Sequence, residues 1–182
     1  MSVYPRHLAF PYFEATTGWT ILGDDTANLI ASTNHITGTA SLGFDKVDGL
    51  DNNAWAGADR TVAYDFSELV TEGTLYNHYG ITWTFYCSDK TDIAYTALRL
   101  GTDAANYVEW RQDDGGITAG MWTQAYHSVA TGYVTGTGCD WSAITYMAFL
   151  TMFDAAGDTL ALMAVDLAGL QLFGCEHVAV IG

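Results

Sequence analysis

Hydrolysis of a glycosidic bond needs two carboxyl groups about 5–5.5 Å or about 6.5–9.5 Å apart across the bond. The chain offers five glutamates for that work: Glu14, Glu68, Glu72, Glu109 and Glu176. Glu68 and Glu72 stand four apart in a polar turn and read as a solvated face. Glu109 lies two residues before Arg111, on the same face of a strand-like segment. An ion pair with Arg111 or with a cross-strand partner is expected there. Asp113-Asp114 sits in a turn, and no E-x-D-x-E strand occurs. Histidines 7, 35, 78, 127 and 177 are scattered, without metal-ligand spacing. No G-x-S-x-G, Walker or Rossmann pattern follows a strand-like run. The cysteines, Cys87, Cys139 and Cys175, form neither a zinc pattern nor a disulfide framework. They read as buried thiols, with one disulfide plus a free thiol left open. No enzyme activity is expected.

Aromatic side chains are the other chemical resource. A sugar platform needs an exposed ring with polar groups beside it. Trp55, Trp110 and Trp122 are the leading candidates, with Trp141, Tyr107 and Tyr126 behind them. Trp55 stands out because 48–59 is a polar, Asn- and Gly-rich loop in which no core claims it. Most Trp residues of β proteins belong to a core or an interface.

These residues must be positioned by strands. Period-2 alternation recurs, while a 3.6-residue apolar stripe does not. In 81–87, Ile81, Trp83, Phe85 and Cys87 face one way and Thr82 and Thr84 the other. Segments 61–66, 94–100, 106–112, 119–129, 142–153 and 159–173 follow, with a further strand over 36–44. Gly- and Asp-rich turns separate them at 101–105, 113–116, 135–138 and 154–158. Only 67–73 could form a short helical turn. Short strands at such spacing predict an all-β antiparallel sandwich or barrel.

The 182 residues suit one domain. Sixteen of the 21 acids are Asp, a loop-favouring residue, and Lys plus Arg number only 6. The formal charge of −15 disfavours nucleic acid and anionic lipid. The longest apolar run, 159–173, is interrupted by Asp166 and is too short to span a bilayer. The N-terminus lacks the apolar core of a signal peptide. Residues 1–11, which hold both prolines, read as an extended arm, and 12–182 as the single domain.

Phe13-Glu14 followed by Gly18-Trp19 resembles the opening of jelly-roll carbohydrate-binding modules. The run 162–166, then Leu170-Gln171-Leu172-Phe173, resembles their last strand. The pair 98–103 and 106–111 is similar to a hairpin of such jelly rolls, and of LamG-like domains in tailed-phage structural proteins. The resemblance implies a jelly-roll fold, needs no cofactor, and matches Glu14 and Asp166 to the ligands of one structural calcium. With the missing export signal, it implies a non-enzymatic virion protein assembled in the host cytoplasm, such as a capsid decoration or tail-associated protein. Tyr4, Arg6, His7 and Phe10 of the arm would then contact capsid or other virion proteins, and the chain would form a homo-oligomer such as a trimer. The alternative is a free-standing carbohydrate-binding module for host-surface or environmental polysaccharide.

Overall fold

The computed structural model describes residues 7–10, 13–23, 26–46, 55–71, 78–91, 93–154 and 160–172. Tyr4, Arg6 and the His7 side chain lie outside these, as do Cys175 and the loop 47–54. Among the described residues, twelve strands form two antiparallel sheets. The first sheet contains β3 (Thr26–Ser32), β4 (Ser41–Lys46), β12 (Leu160–Leu172), β6 (Tyr79–Cys87) and β9 (Trp122–Ser128), in that order, and β1 (His7–Ala9) also pairs with β12. The second runs β10 (Tyr133–Thr135), β8 (Asn106–Asp113), β7 (Ile93–Asp103), β11 (Ile144–Phe153), β5 (Trp55–Tyr64) and β2 (Trp19–Leu22). The antiparallel β-sandwich expected from the alternation is present. One five-residue helix, α1 (Ser67–Thr71), lies where the helical turn is expected.

The core sits between the sheets. Ile81, Trp83, Phe85 and Cys87 of β6 are fully buried and face Leu98, Met147 and Phe149 of the second sheet across it. Each such side chain contributes about 1.5–3 kcal/mol by leaving water. The period-2 pattern therefore fixes which residues remain on the outer faces.

Two sequence expectations change. The arm is not free from His7 onward: β1 pairs His7 with Gln171 and Ala9 with Gly169. Phe10 is 3% exposed and packs 5.0 Å from the Tyr64 ring, so it serves the core rather than a partner. The reason is that β12 leaves an open edge beside its bulge, and a short apolar strand covers it. The expected 36–44 strand begins only at Ser41. Residues 33–40 form a loop, in which Gly38 takes a left-handed φ of 66° against the Glu14 carboxylate.

Candidate functional site: the outer face of the second sheet

Register places four rows of side chains across the second sheet, on the face away from the core. The first row is Trp55, Met152, Tyr95 and Asp113. The next is Leu22, Gly57, Leu150, Ala97 and Arg111. The third is Thr20, Asp59, Ala148, Arg99, Glu109 and Tyr133. The fourth is Thr61, Tyr146, Gly101, Tyr107 and Thr135.

The middle of this face is built of small or apolar residues covered by the longer side chains around them. Ala97, Ala148 and Leu150 have no exposed surface, although their in-strand neighbours Leu98, Met147 and Phe149 are the ones that enter the core. Small residues lower the floor. At Gly57 a Cβ would stand 2.3 Å from the Phe149 carbonyl oxygen, so no larger residue fits there. Longer side chains from the outer rows rise around this floor. The distance from β5 to β10 is four strand spacings, about 19 Å, enough for several sugar units.

Glu109 organises one side. It is 2% exposed. Its Oε2 accepts the Arg99 Nε–H at 2.6 Å, and its Oε1 accepts the Arg111 Nε–H at 2.5 Å. A carboxylate this buried persists only when paired and hydrogen-bonded. Both expected partners, the in-strand arginine and the cross-strand one, are used at once. Each guanidinium also lies between two rings. Arg99 is 4.4 Å from the Tyr107 centroid and 5.0 Å from that of Trp55. Arg111 is 4.3 Å from Tyr95 and 4.4 Å from Tyr133. Cation–π contact holds the rings upright against the recess.

Asp59 faces the same recess from β5, and burial raises its carboxyl above the usual range. Tyr146 is 7% exposed, and its hydroxyl makes no hydrogen bond of normal geometry. Burial pushes that phenol up to about 12, with the nearby Arg99 charge opposing the shift. Burial and the Glu109 charge raise Tyr95 likewise. The recess thus offers ring faces, guanidinium and phenol donors, and one carboxylate. Such a set can meet hydroxyl groups, because apolar walls with a few placed polar groups fix orientation.

The sequence candidates divide. Trp55 opens strand β5 instead of lying in a loop, and it stands half-buried in the recess. Trp110 is not a platform: it is 1% exposed, and its Nε1–H donates to the carbonyls of Ser128 and Val129. It sits one residue from Glu109, on the opposite face of β8. Trp141 is buried as well. Trp122 lies on the first sheet, 5.9 Å from the Tyr86 ring, with its Nε1–H donating to Asn34 Oδ1 at 3.2 Å. Tyr126 is exposed on that same sheet. The three tryptophans therefore do not form one site. Arg99, Tyr95, Tyr133, Tyr146 and Asp59 are not among the sequence candidates, and Arg111 is there only as an ion-pair partner for Glu109. Three of these six, Tyr95, Arg99 and Arg111, carry a signal in the sequence: they are the polar or aromatic phase of two alternating strands joined by a hairpin.

Glu14 and Asp166 converge on the loop 35–38. Asp166 is 4% exposed; its Oδ2 accepts the backbone N–H of Ile36 and, at 2.7 Å, that of Thr37, and the Thr37 hydroxyl lies 3.3 Å from Oδ1. Two amide donors therefore offset much of the buried charge. Oδ1 retains lone pairs, and the exposed Glu14 lies against Gly38 of the same loop. Among the described residues no three carboxylate, histidine or cysteine side chains gather. A calcium ion, which takes six to eight oxygens, would need main-chain carbonyls beyond these two groups.

No family model matches this chain. No curated protein matches it either. Solved structures do. The family 11 carbohydrate-binding module from Clostridium thermocellum, in complex with a β-1,3-1,4-mixed-linked tetrasaccharide, superposes with a TM-score of 0.58 at 10% identity, over 91% of this chain and 95% of that one. The same family's module of the cellulosomal cellulase Lic26A-Cel5E gives 0.53 at 12% identity, over 94% and 97%. An exo-β-agarase gives 0.55 at 12% identity, over 95% of this chain but only 25% of the enzyme. The likeness establishes the sandwich fold of carbohydrate-binding modules.

Proposed function

We propose that this chain is a glycan-binding module, and that the recessed outer face of the second sheet is its binding cleft. The observation that carries this reading is the Arg99–Glu109–Arg111 triad set between Trp55, Tyr107, Tyr95 and Tyr133. A solvated sheet face has no need of two guanidinium groups held by one buried carboxylate. Aromatic faces can stack on the apolar faces of sugar rings, while the arginine ends, Asp59 and Tyr146 can meet hydroxyls. The fold shared with binding modules supports this use of the face.

The reaction chemistry of a glycosidase has little support here. Glu109 is held on both oxygens by arginine and is not placed to donate a proton. Among the described residues, Asp59 is the only other acid on this part of the face, apart from Asp113 at its exposed rim. Attachment to a virion is supported by nothing among the described residues, since the arm meant to make the contact is part of the sandwich from His7 onward. A calcium ion between Glu14 and Asp166 is a separate proposal. A calcium titration that raises the melting temperature in the wild type but not in Glu14→Gln supports it, and a flat titration removes it.

Binding to an array of plant, algal and bacterial polysaccharides, followed by titration with the oligosaccharides that bind, tests the cleft. Trp55→Ala is expected to weaken the bound sugar about tenfold, the equivalent of one lost stacking contact. Trp122→Ala, on the other sheet, is expected to leave affinity unchanged. The reverse pattern would place the site on the first sheet.

A further inference from the structure

The cleft's hydrogen-bonding inventory is unbalanced. An arginine carries five N–H donors, and only the one on Nε is used by Glu109 in each case. Four remain on the terminal nitrogens of each guanidinium. Among the described residues no carboxylate or carbonyl hydrogen-bonds to these ends. Tyr146, beside Arg99, has its own hydroxyl without a hydrogen bond of normal geometry. The acceptor side of the recess is Asp59, which lies on β5, two strands from Arg99. The triad itself holds two positive charges against one negative charge and is largely shielded from water. The Arg99 side chain is 11% exposed, that of Glu109 2%, and that of Arg111 35%. Two of the chain's six cations are thus kept on one face of a protein of charge −15. Asp59 and Asp113 are the other acids on the described part of this face, and neither hydrogen-bonds to the terminal nitrogens of Arg99 or Arg111, which are left for a ligand to meet.

We propose that the cleft selects glycans bearing a carboxylate, that is, uronate sugars, with Arg111 as the anchor. This rests on the reading of the face as a glycan site. The two terminal nitrogens of a guanidinium match a planar carboxylate as a fork, with two parallel N–H···O bonds. Arg111 is the accessible member of the pair, and its ring partners Tyr95 and Tyr133 and its carboxylate partner Glu109 fix the direction of the fork. Arg99, deeper and flanked by Trp55 and Tyr107, supports a neighbouring sugar. The chain's net negative charge does not oppose this at working salt. At about 0.15 M, charges further than about 8 Å from the ligand are largely screened, and the triad is within contact distance. A sugar that carries a single carboxylate among neutral neighbours suits this charge pattern better than a dense polyanion.

The test is calorimetric titration of the full chain with matched pairs of oligosaccharides. The pairs are glucuronate-branched xylo-oligosaccharides and oligogalacturonides, each beside the same sugar with its carboxylates reduced to alcohols. At 20 mM NaCl an acidic form is expected to bind about tenfold tighter than its reduced partner, the worth of a charge-assisted fork. That advantage should shrink at 200 mM NaCl. Arg111→Gln should remove the difference between the two forms, and Arg111→Lys should restore only part of it, with the melting temperature of each variant confirming the fold. If reduced or neutral sugars bind and no acidic form binds tighter, the selection is overturned while the glycan site stands. If mixed-linkage glucan, neutral sugars and acidic sugars all fail to bind, both fall.

Discussion

Replacing Glu109 by glutamine removes the one charge that two arginines share. The variant keeps the shape but leaves two guanidinium groups facing each other in a recess from which water is largely excluded. Breaking a buried ion pair from one side costs about 3–5 kcal/mol, and the partial exposure of Arg111 places Glu109→Gln near the lower end of that range in denaturant unfolding. Asp59 works in the opposite sense. Its carboxyl is raised by burial, so the folded state holds a proton that the unfolded chain releases more readily. Stability then falls as pH rises from the ordinary Asp value near 4 through the raised one. Asp59→Asn is therefore expected to be more stable than the wild type at pH 7 and, lacking a contribution that grows as pH falls, to lose stability more steeply on acidification. It should bind sugar more weakly, as a group retained for function at a cost in stability would.

Strands β7 and β8 carry most of the cleft, because one hairpin brings Tyr95, Arg99, Tyr107, Glu109 and Arg111 to one face. Asp103 closes that hairpin by accepting the Ala105 N–H at 2.7 Å and the Asn106 side-chain amide at 3.0 Å. At the other sheet, β1 is an ordinary structural strand. Phe10→Ala should cost about 3–5 kcal/mol, the usual price of emptying a buried phenylalanine site. Deleting residues 1–6 should leave the melting temperature nearly unchanged, whereas deleting 1–11 should lower it by many degrees. Equal melting temperatures for the two truncations would show that the edge of β12 needs no cover. The loop 33–40 is held from below by Asp166 through two amides, which is why a carboxylate can stand inside the apolar strand β12.

Across the whole molecule the two sheets differ in how they treat charge. The second sheet concentrates charge and rings in its recess. On the first sheet, polar side chains satisfy one another and the backbone, with Gln124 donating to Thr82 Oγ1 and Thr82 donating to the Ala125 carbonyl. Stability at mild acid depends on the interior. His127 is stacked on Trp83 at 5.4 Å, and its Nε2 is buried without a hydrogen bond. Burial lowers its pKa, against the opposing pull of Asp113. The unfolded chain binds that proton first, so this contribution is complete above about pH 6.5 and is lost as pH falls toward the depressed value. Thermal melts between pH 7.5 and 5 should fall, and His127→Phe should reduce the slope. No described helix is long and apolar enough to cross a membrane.

Alternation alone determined an antiparallel β fold, sandwich or barrel, because a side chain on every second position must leave water together with its neighbours. It also determined that Glu109 would find an arginine, since residues two apart on a strand share a face. Alternation could not say which face of a strand meets the other sheet. Trp110 and Glu109 are adjacent in sequence, and only the packing of the sheets sent the indole inward and the carboxylate outward. Nor could it say that Trp55, Tyr95 and Arg111 would share one recess, because strand order and register bring together residues up to about 60 positions apart. The same holds for Phe10, which the sequence places in an arm between two prolines but whose position is decided by an open strand edge from the far end of the chain.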